Sequence, residues 1–274
     1  MTQEFEEAPA SWKMPEGVDA PLWHYAQSVR LANSENDYFR DHPLFAADSR
    51  ILGERFVEPG SLIDLGCGAG RLSLQFARVG FQVTSVDLSQ PMLRVVHHRG
   101  EAEDLQLNTV RANLCRLGCF PAGTFSHALA MFSTFGMIRG VSLRTRAVAE
   151  AFRILKPGGR LALHAHNVWL NLHDRQGRAW LVGQFWGALR GRTGFGDRQM
   201  TYRGIPGMSV HLYRWRELRK DLLSAGFVLD EVIPLDTITA RGIPAPRILP
   251  DVRAGGWIVF ARKPSLEKSR SDTP

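Results

Sequence analysis

Several features are scarce in this sequence, and each scarcity excludes a class of protein. Its 274 residues include only three cysteines, an odd number that argues against a disulfide framework. Cys115 and Cys119 have no second pair of ligands beside them, so we expect no metal site. The longest apolar stretch, Ala128 to Ile138, is too short for a transmembrane helix. The acidic N-terminus, MTQEFEE, has no apolar core and is therefore not expected to be a secretory signal. We predict a cytoplasmic protein with no membrane partner.

Two nucleotide-binding motifs are also missing. A dinucleotide fingerprint that began at Gly66 and Gly68 would need its third glycine at position 71, where the sequence has Arg71. A P-loop would need a Gly-Lys-Ser/Thr run, and the sequence contains none. These absences disfavour a nicotinamide-dependent oxidoreductase and a P-loop nucleotidase.

The size and the charge leave several functions open. The content of 44% hydrophobic and 22% charged residues is ordinary for a globular protein, and the length suits one large α/β domain. Lysine and arginine total 34 against 27 aspartate and glutamate, a net charge of +7. This excess permits contact with nucleic acid but does not require it.

The most informative stretch runs from residue 61 to residue 71. Ser61 to Leu65 is short and apolar enough for one buried strand, and glycines follow at alternate positions before an apolar helix begins. Glycine allows a sharp turn and a close approach of the backbone to a ligand. The helix N-terminus after it offers free N–H groups to an anion. A strand, a glycine turn and a helix of this kind predict a site for a nucleotide-like ligand.

The segment Asp64 to Gly70, Asp-x-Gly-x-Gly-x-Gly, resembles motif I of the class I S-adenosylmethionine (AdoMet)-dependent methyltransferases. A second predicted strand, Gln82 to Val86, ends at Asp87, which lies 21 positions after Gly66. An acidic residue about 20 positions after such a turn is placed to accept hydrogen bonds from ribose hydroxyls. Asp87-Leu88-Ser89-Gln90-Pro91-Met92-Leu93 also resembles the family's next segment, and this resemblance implies that Leu88 and Met92 pack on the adenine.

The resemblance covers about residues 44–166 and resumes over about 215–262. Asn113-Leu114 stands where the family usually has an acidic residue against the adenine amino group, and the side-chain oxygen of Asn113 can accept the same hydrogen bond. A fourth predicted strand, Phe125 to Phe132, ends where family members meet both cofactor and acceptor. Leu-Lys-Pro-Gly-Gly then precedes a fifth predicted strand, Arg160 to His166, and this turn is typical of the family.

The resemblance implies a Rossmann-like class I methyltransferase fold. We expect a mostly parallel seven-stranded sheet with an antiparallel last strand and a helical or loop insertion after strand five. We predict a leader and capping helices over 1–43, with a polar break at Asn33 to Asp37, and an AdoMet-binding domain over 44–263. The inserted lid would cover 168–212, and residues 264–274 would form a disordered tail.

The resemblance and the residues together predict a site. The predicted cofactor-binding residues are Asp64, Gly66, Cys67, Gly68, Gly70, Asp87, Leu88, Met92, Asn113, Leu114 and Phe132. His166, at the carboxyl end of strand five, and His211 are the candidate catalytic residues, facing the methyl acceptor.

Three interpretations of the insertion stay open at this stage. Its aromatic residues alternate with arginines, a composition that suits a lid over a small molecule, a nucleic-acid surface, or packing alone.

The predicted function is AdoMet-dependent transfer of a methyl group to an oxygen or nitrogen of a small molecule. The first alternative is methylation of a transfer or ribosomal RNA base with the same cofactor site. The Asn/Asp-Pro-Pro-Tyr motif typical of base-modifying members is absent after strand four, where Phe132-Ser133-Thr134-Phe135 stands. A non-catalytic AdoMet-binding module is a second alternative, which the intact glycine loop disfavours. The oligomeric state is left open.

Overall fold

The computed structural model describes residues 13–191, 194–236, 239–244 and 249–265. The helices in these ranges are α1 (Ala20–Gln27), α2 (Val29–Asn33), α3 (Glu35–Tyr38), α4 (Pro43–Arg55), α5 (Arg71–Arg78), α6 (Gln90–Ala102), α7 (Val141–Ile154), α8 (Arg175–Leu189), α9 (Trp215–Ser224) and α10 (Pro250–Arg253). The strands are β1 (Ser61–Leu65), β2 (Gln82–Asp87), β3 (Leu107–Arg111), β4 (Phe125–Ala130), β5 (Leu155–His166), β6 (Asp197–Tyr202), β7 (Ile205–His211), β8 (Val228–Leu235) and β9 (Gly256–Arg262). Short 3-10 helices cover Thr134–Met137 and Val168–His173. None of the described helices is long and apolar enough to cross a membrane.

Seven strands form one sheet in the order β3-β2-β1-β4-β5-β9-β8. The pairs from β3 across to β5 are parallel, whereas β9 runs antiparallel to both of its neighbours. The predicted mostly parallel sheet with an antiparallel last strand is therefore confirmed. The chain moves outward from β1 through β2 to β3 and then returns to place β4 on the other side of β1. In open α/β sheets this reversal opens a crevice at the carboxyl ends of the two central strands.

The alternation of apolar residues along β1 explains why the sheet has a core on each face. Ile63 and Leu65 pack into one buried cluster, and Leu62, which points the other way, belongs to the second. All three are fully buried. Helices cover both faces, and β1 is held rigidly at the centre, so the glycine turn that follows it has a fixed position.

Some predicted element boundaries were wrong. The polar stretch Asn33 to Asp37 does interrupt the helix, but only at Ser34, because α2 ends at Asn33 and α3 begins at Glu35. The third strand, which the sequence predicts over Leu105 to Val110, begins two residues later and ends one residue later, at Leu107–Arg111. Strand β5 already begins at Leu155, before the Pro-Gly-Gly turn, and its pairing with β4 shifts register there.

The insertion after β5 contains more regular secondary structure than the helical or loop segment that the sequence predicts. After the 3-10 helix and α8, the chain makes an antiparallel hairpin, β6–β7, which forms a sheet of its own. Arg203 and Gly204 form the two-residue turn with positive φ angles of 50° and 85°, as type I′ hairpin turns require. Residues 1–12 of the predicted leader and residues 266–274 of the predicted tail lie outside the described residues.

Candidate active site

A cavity of about 440 Å³ lies at the carboxyl ends of β1 and β4. Three parts of the chain enclose it: the loops that follow the central strands, the N-terminal helices, and the β6–β7 hairpin. This volume falls within the range of about 300–1,000 Å³ that small-molecule sites occupy. Of the predicted cofactor residues, the following line the cavity: Asp64, Gly66, Cys67, Gly68, Asp87, Leu88, Met92, Asn113, Leu114 and Phe132.

The glycine loop turns sharply between β1 and α5. Gly66, Gly68 and Gly70 have positive φ angles of 73°, 54° and 76°, which favour glycine. The N–H groups of Gly66 and Cys67 both donate to the Val86 carbonyl of β2, at 2.7 and 3.1 Å, and this fixes the loop on the neighbouring strand. Gly70 does not line the cavity. A side chain there would meet Val96 of α6 at 2.6 Å, so this glycine allows α5 and α6 to pack closely.

Asp87 lies at the end of β2 and ties the loop to the next segment. Its two carboxylate oxygens accept the N–H groups of Gly68 and Ser89, at 2.9 and 2.8 Å. Burial raises the pKa of this carboxyl, and the backbone N–H donors oppose that rise. Each carboxylate oxygen has a further lone pair, so Asp87 can still accept hydrogen bonds from a ligand in the cavity.

Asp64 occupies the base of the cavity. Its Oδ2 atom accepts the Ser73 hydroxyl at 2.7 Å, and Ser73 in turn accepts the Ser85 hydroxyl at 2.8 Å. Burial raises the pKa of Asp64 to about 6. The carboxyl is therefore held by a chain of hydroxyls on α5 and β2 and presents an acidic group to the cavity.

The part of the cavity where adenine is predicted to bind has apolar walls, and the Asn113 side-chain amide beside it already makes hydrogen bonds. Leu88, Met92 and Leu114 line the cavity there. The side-chain nitrogen of Asn113 donates to the Glu16 carbonyl at 2.8 Å, and its oxygen accepts the Cys115 N–H at 2.9 Å. Asn113 therefore already anchors the N-terminal segment, and only a second lone pair of its oxygen is left for a ligand.

Phe132 and His166 form the wall beyond the glycine loop. Phe132 and Ser133 have φ angles of 54° and 61°, an uncommon backbone conformation that is often found at functional sites. The His166 ring lies 6.1 Å from the Phe132 ring and also lines the cavity. Burial, with a contribution from His42, lowers the pKa of His166 to about 4, so its ring is neutral at pH 7.

His211 does not belong to this wall. It is buried outside the cavity lining, and its Nδ1 and Nε2 atoms lie 2.7 Å from Asp197 and 2.8 Å from Glu217. These two carboxylates raise its pKa against the effect of burial. Both ring nitrogens are within hydrogen-bond distance of these carboxylates, so His211 connects the hairpin to α9. Neither nitrogen is left to act as a base on a methyl acceptor.

Sequence reasoning missed a polar cluster above the glycine loop. Glu35 lines the cavity, and the Tyr25 hydroxyl donates to both of its carboxylate oxygens at 3.1 Å. Arg203, at the tip of the β6–β7 hairpin, forms an ion pair with Glu35 and donates to the Ser34 hydroxyl at 2.7 Å. A side chain at Gly68 would come within 3.6 Å of Glu35 Oε1, so this carboxylate lies directly over the loop. Position 203 is 168 residues from position 35, and no local pattern joins Tyr25, Glu35 and Arg203.

The hairpin also supplies much of the remaining wall. Arg198, Met200, Tyr202, Met208, Ser209, Val210 and Leu212 line the cavity beside Met137 and Leu170. This wall is largely apolar. Arg198 is its one cation among the described lining residues of the insertion, and its guanidinium donates to the Asn171 side chain and lies 5.8 Å from the Trp180 ring.

The fold and the site define a class: a doubly wound α/β protein with a nucleotide-type glycine loop at the switch point of its sheet. Residues 62–159 match the family described as a methyltransferase domain. A ubiquinone biosynthesis O-methyltransferase from Nitrosococcus oceani is 29% identical over 157 residues, which are 57% of each chain. Residues 62–159 are therefore a methyltransferase domain, and the fold is that of the class I AdoMet-dependent methyltransferases.

Solved structures agree on the fold. A SAM-dependent methyltransferase from Methanosarcina mazei aligns with a TM-score of 0.62 and 23% identity, over 78% of this chain and 97% of that one. A 1,6-didemethyltoxoflavin-N1-methyltransferase from Burkholderia thailandensis, with 1,6-didemethyltoxoflavin and S-adenosylhomocysteine bound, aligns with a TM-score of 0.59 and 17% identity, over 92% and 94% of the two chains. The chain spans little more than half the length of the first curated relatives it matches.

The residues of the cavity fit AdoMet, the cofactor of this family. Gly68 has a positive φ and no side chain, so a ligand can lie against the loop backbone. The Asp87 carboxylate is an acceptor for hydroxyls, and Leu88 and Leu114 offer apolar surface to a flat ring. Asp64 and Glu35 add acidic groups beside the loop, and such groups suit a ligand that carries positive charge.

Proposed function

We propose that this protein transfers a methyl group from AdoMet to an oxygen or nitrogen of a small molecule. The observation that carries the proposal is that one cavity joins the glycine loop and Asp87 to an apolar wall contributed by the insertion. A methyl donor held by the glycine loop and Asp87 and an acceptor held by the apolar wall would then lie in the same cavity. The O-methyltransferase relatives support this proposal.

On the cofactor side, Asp87 would accept the ribose hydroxyls, and Leu88, Met92 and Leu114 would hold the adenine. The backbone at Gly66 to Gly68 would lie against the methionine portion, with Asp64 and Glu35 nearby. When bound, AdoMet supplies a methyl group on a positively charged sulfur, which is already an excellent leaving group. The protein's contribution to the rate is therefore mainly proximity and alignment of the acceptor.

On the acceptor side, Phe132, Met137 and Met208 would hold an apolar body and exclude water. His166 would face the reacting atom. Its pKa of about 4 keeps the ring neutral at pH 7 but makes it a feeble base. We therefore assign His166 a positioning role, in which a ring nitrogen hydrogen-bonds to the acceptor and orients it.

A single cavity of this volume suits a small acceptor better than a base within a folded RNA, because the N-terminal helices and the hairpin both line it and leave about 440 Å³ for the cofactor and the acceptor together. The test is transfer of label from AdoMet in parallel reactions with a fractionated small-metabolite extract and with total RNA. We expect label in one or a few small-molecule fractions and none above background in RNA. Label in RNA alone would replace this proposal with RNA methylation, and label in neither would contradict methyl transfer.

A further inference from the structure

Helix α8 has apolar residues on two opposite faces, and only one face is covered. Its inner face buries Gly177, Leu181 and Gly187 against the protein. On the other face Val182, Phe185, Trp186 and Leu189 recur at the spacing of a single helical stripe. They are 56%, 49%, 58% and 78% exposed. A contiguous exposed patch of large apolar side chains marks a surface that binds something.

The charges around this outer stripe indicate what binds there. Arg175 and Arg178 lie at its N-terminal end, Arg190 follows its C-terminal end, and α8 itself contains no acidic residue. Within the ranges that the structure describes, none of these three arginines forms an ion pair. Arg214, which pairs with Glu217 at 4.0 Å, lies beside this border, since its guanidinium is 5.1 Å from the Phe195 ring, which packs on Phe185.

This arrangement is that of a helix lying in the plane of a membrane interface. Apolar side chains with two aromatic residues at the centre enter the boundary of the acyl chains, and arginines at both ends meet the phosphates. The absence of a spanning helix does not bear on this mode, because a surface helix does not cross the bilayer. A second copy of the chain is a poorer occupant, since two α8 faces would bring like-charged arginines together.

We propose that the outer face of α8 docks the protein on an anionic phospholipid surface. The position of the helix would bring the membrane surface close to the cavity. α8 packs on the 3-10 helix Val168–His173, where Trp169 stacks on Phe185 at 6.2 Å and Leu170 lines the cavity. The membrane-facing surface is thus one layer of side chains away from the apolar acceptor wall. The docking surface itself does not depend on the proposed methyl transfer.

The test is flotation of the full chain with vesicles of phosphatidylcholine alone and of phosphatidylcholine mixed with phosphatidylglycerol. We expect binding to the mixed vesicles only, and Phe185→Ser with Trp186→Ser should weaken it by about tenfold or more because two aromatic anchors are lost. Val79→Ser with Val141→Ser is the matched control. These residues are 59% and 56% exposed, just after the end of α5 and at the start of α7, so their replacement should leave binding unchanged.

A second pair of variants tests the charge. Arg190→Gln should weaken binding to the mixed vesicles by about fivefold, whereas Arg94→Gln, at another exposed site, should not. Calorimetric titration with AdoMet should give the same affinity for all variants, which separates this docking from the proposed cofactor site.

The proposal is overturned if the wild type does not float with anionic vesicles or if the aromatic variant floats as well as its control. It is also overturned if the stripe proves instead to hold two copies together, seen as a dimer that the aromatic substitutions convert to monomer.

Discussion

At the scale of single residues, the glycines of the chain differ in why they are required. Gly70 and Gly158 have nearly equal positive φ angles, 76° and 79°, but only Gly70 faces a crowded space. Gly158→Ala should therefore cost only the backbone strain, about 1 kcal/mol of unfolding free energy. Gly70→Ala should cost about 1–3 kcal/mol more, because its new methyl group would meet Val96. Urea unfolding of the two variants measures the difference, and equal losses would contradict the crowding.

Glu35 gives a pH dependence whose sign follows from its surroundings. Burial raises its pKa to about 7, above the ordinary value of 4.5, against the opposing effect of Arg203. The folded state therefore binds more protons at this site than the unfolded state between pH 4.5 and 7. The stability that this group contributes is present at the acid end of that window and is lost as pH rises through the folded pKa.

Comparison with Glu35→Gln isolates this contribution, since the amide does not titrate. Relative to the variant, the wild type should lose unfolding free energy as pH rises from 5 to 8, measured by urea unfolding at each pH. A relative gain over the same range would mean that the attraction of Arg203 outweighs burial.

At the scale of elements, the ion pair between α3 and the hairpin holds the roof of the cavity. The side chains of Arg203 and Glu35 are only 3% and 13% exposed. Removing one partner of a buried pair typically costs about 3–5 kcal/mol when the remaining charge stays uncompensated, which for Glu35 requires a pH well above its pKa of about 7, such as pH 9. Arg203→Met should show a loss of this size, and Arg203→Met with Glu35→Gln should recover part of it. A double variant no more stable than the single one would show that the two side chains are not coupled.

The elements also show where sequence reasoning succeeds and where it stops. The glycine turn, the two strands around it and the Asp87 position have local patterns, so their place in the sheet could be predicted. The hairpin and α3 have no such signal. Glu35 is one polar residue in a polar stretch, and only the fold brings it over Gly68. His211 was a reasonable candidate as a histidine, but its contacts with Asp197 and Glu217 come from tertiary structure.

At the scale of the whole molecule, the net charge of +7 raises the question of whether the protein binds nucleic acid. Binding that neutralises several phosphates releases counterions, and its affinity falls at a log–log slope of about −0.7 per contact with a single strand. If the acceptor is a small neutral molecule, turnover should change by less than about twofold between low and physiological salt, because few counterions are released. Steady-state assays over a salt series check this, and a steep decline would favour an RNA acceptor.

The central claim is that the cavity beside the glycine loop binds AdoMet through Asp87. Isothermal titration calorimetry of AdoMet into wild type and Asp87→Asn tests it most directly, with thermal unfolding to verify that the variant is folded. The control is Asp230→Asn, whose carboxylate pairs with Arg262 at 2.8 Å and does not line the cavity. Hydrogen bonds to a charged group are worth about 1.5–3 kcal/mol, so we predict at least a tenfold loss of affinity in folded Asp87→Asn and none in the control. Equal affinity in wild type and Asp87→Asn, or no binding by the wild type, would contradict the account.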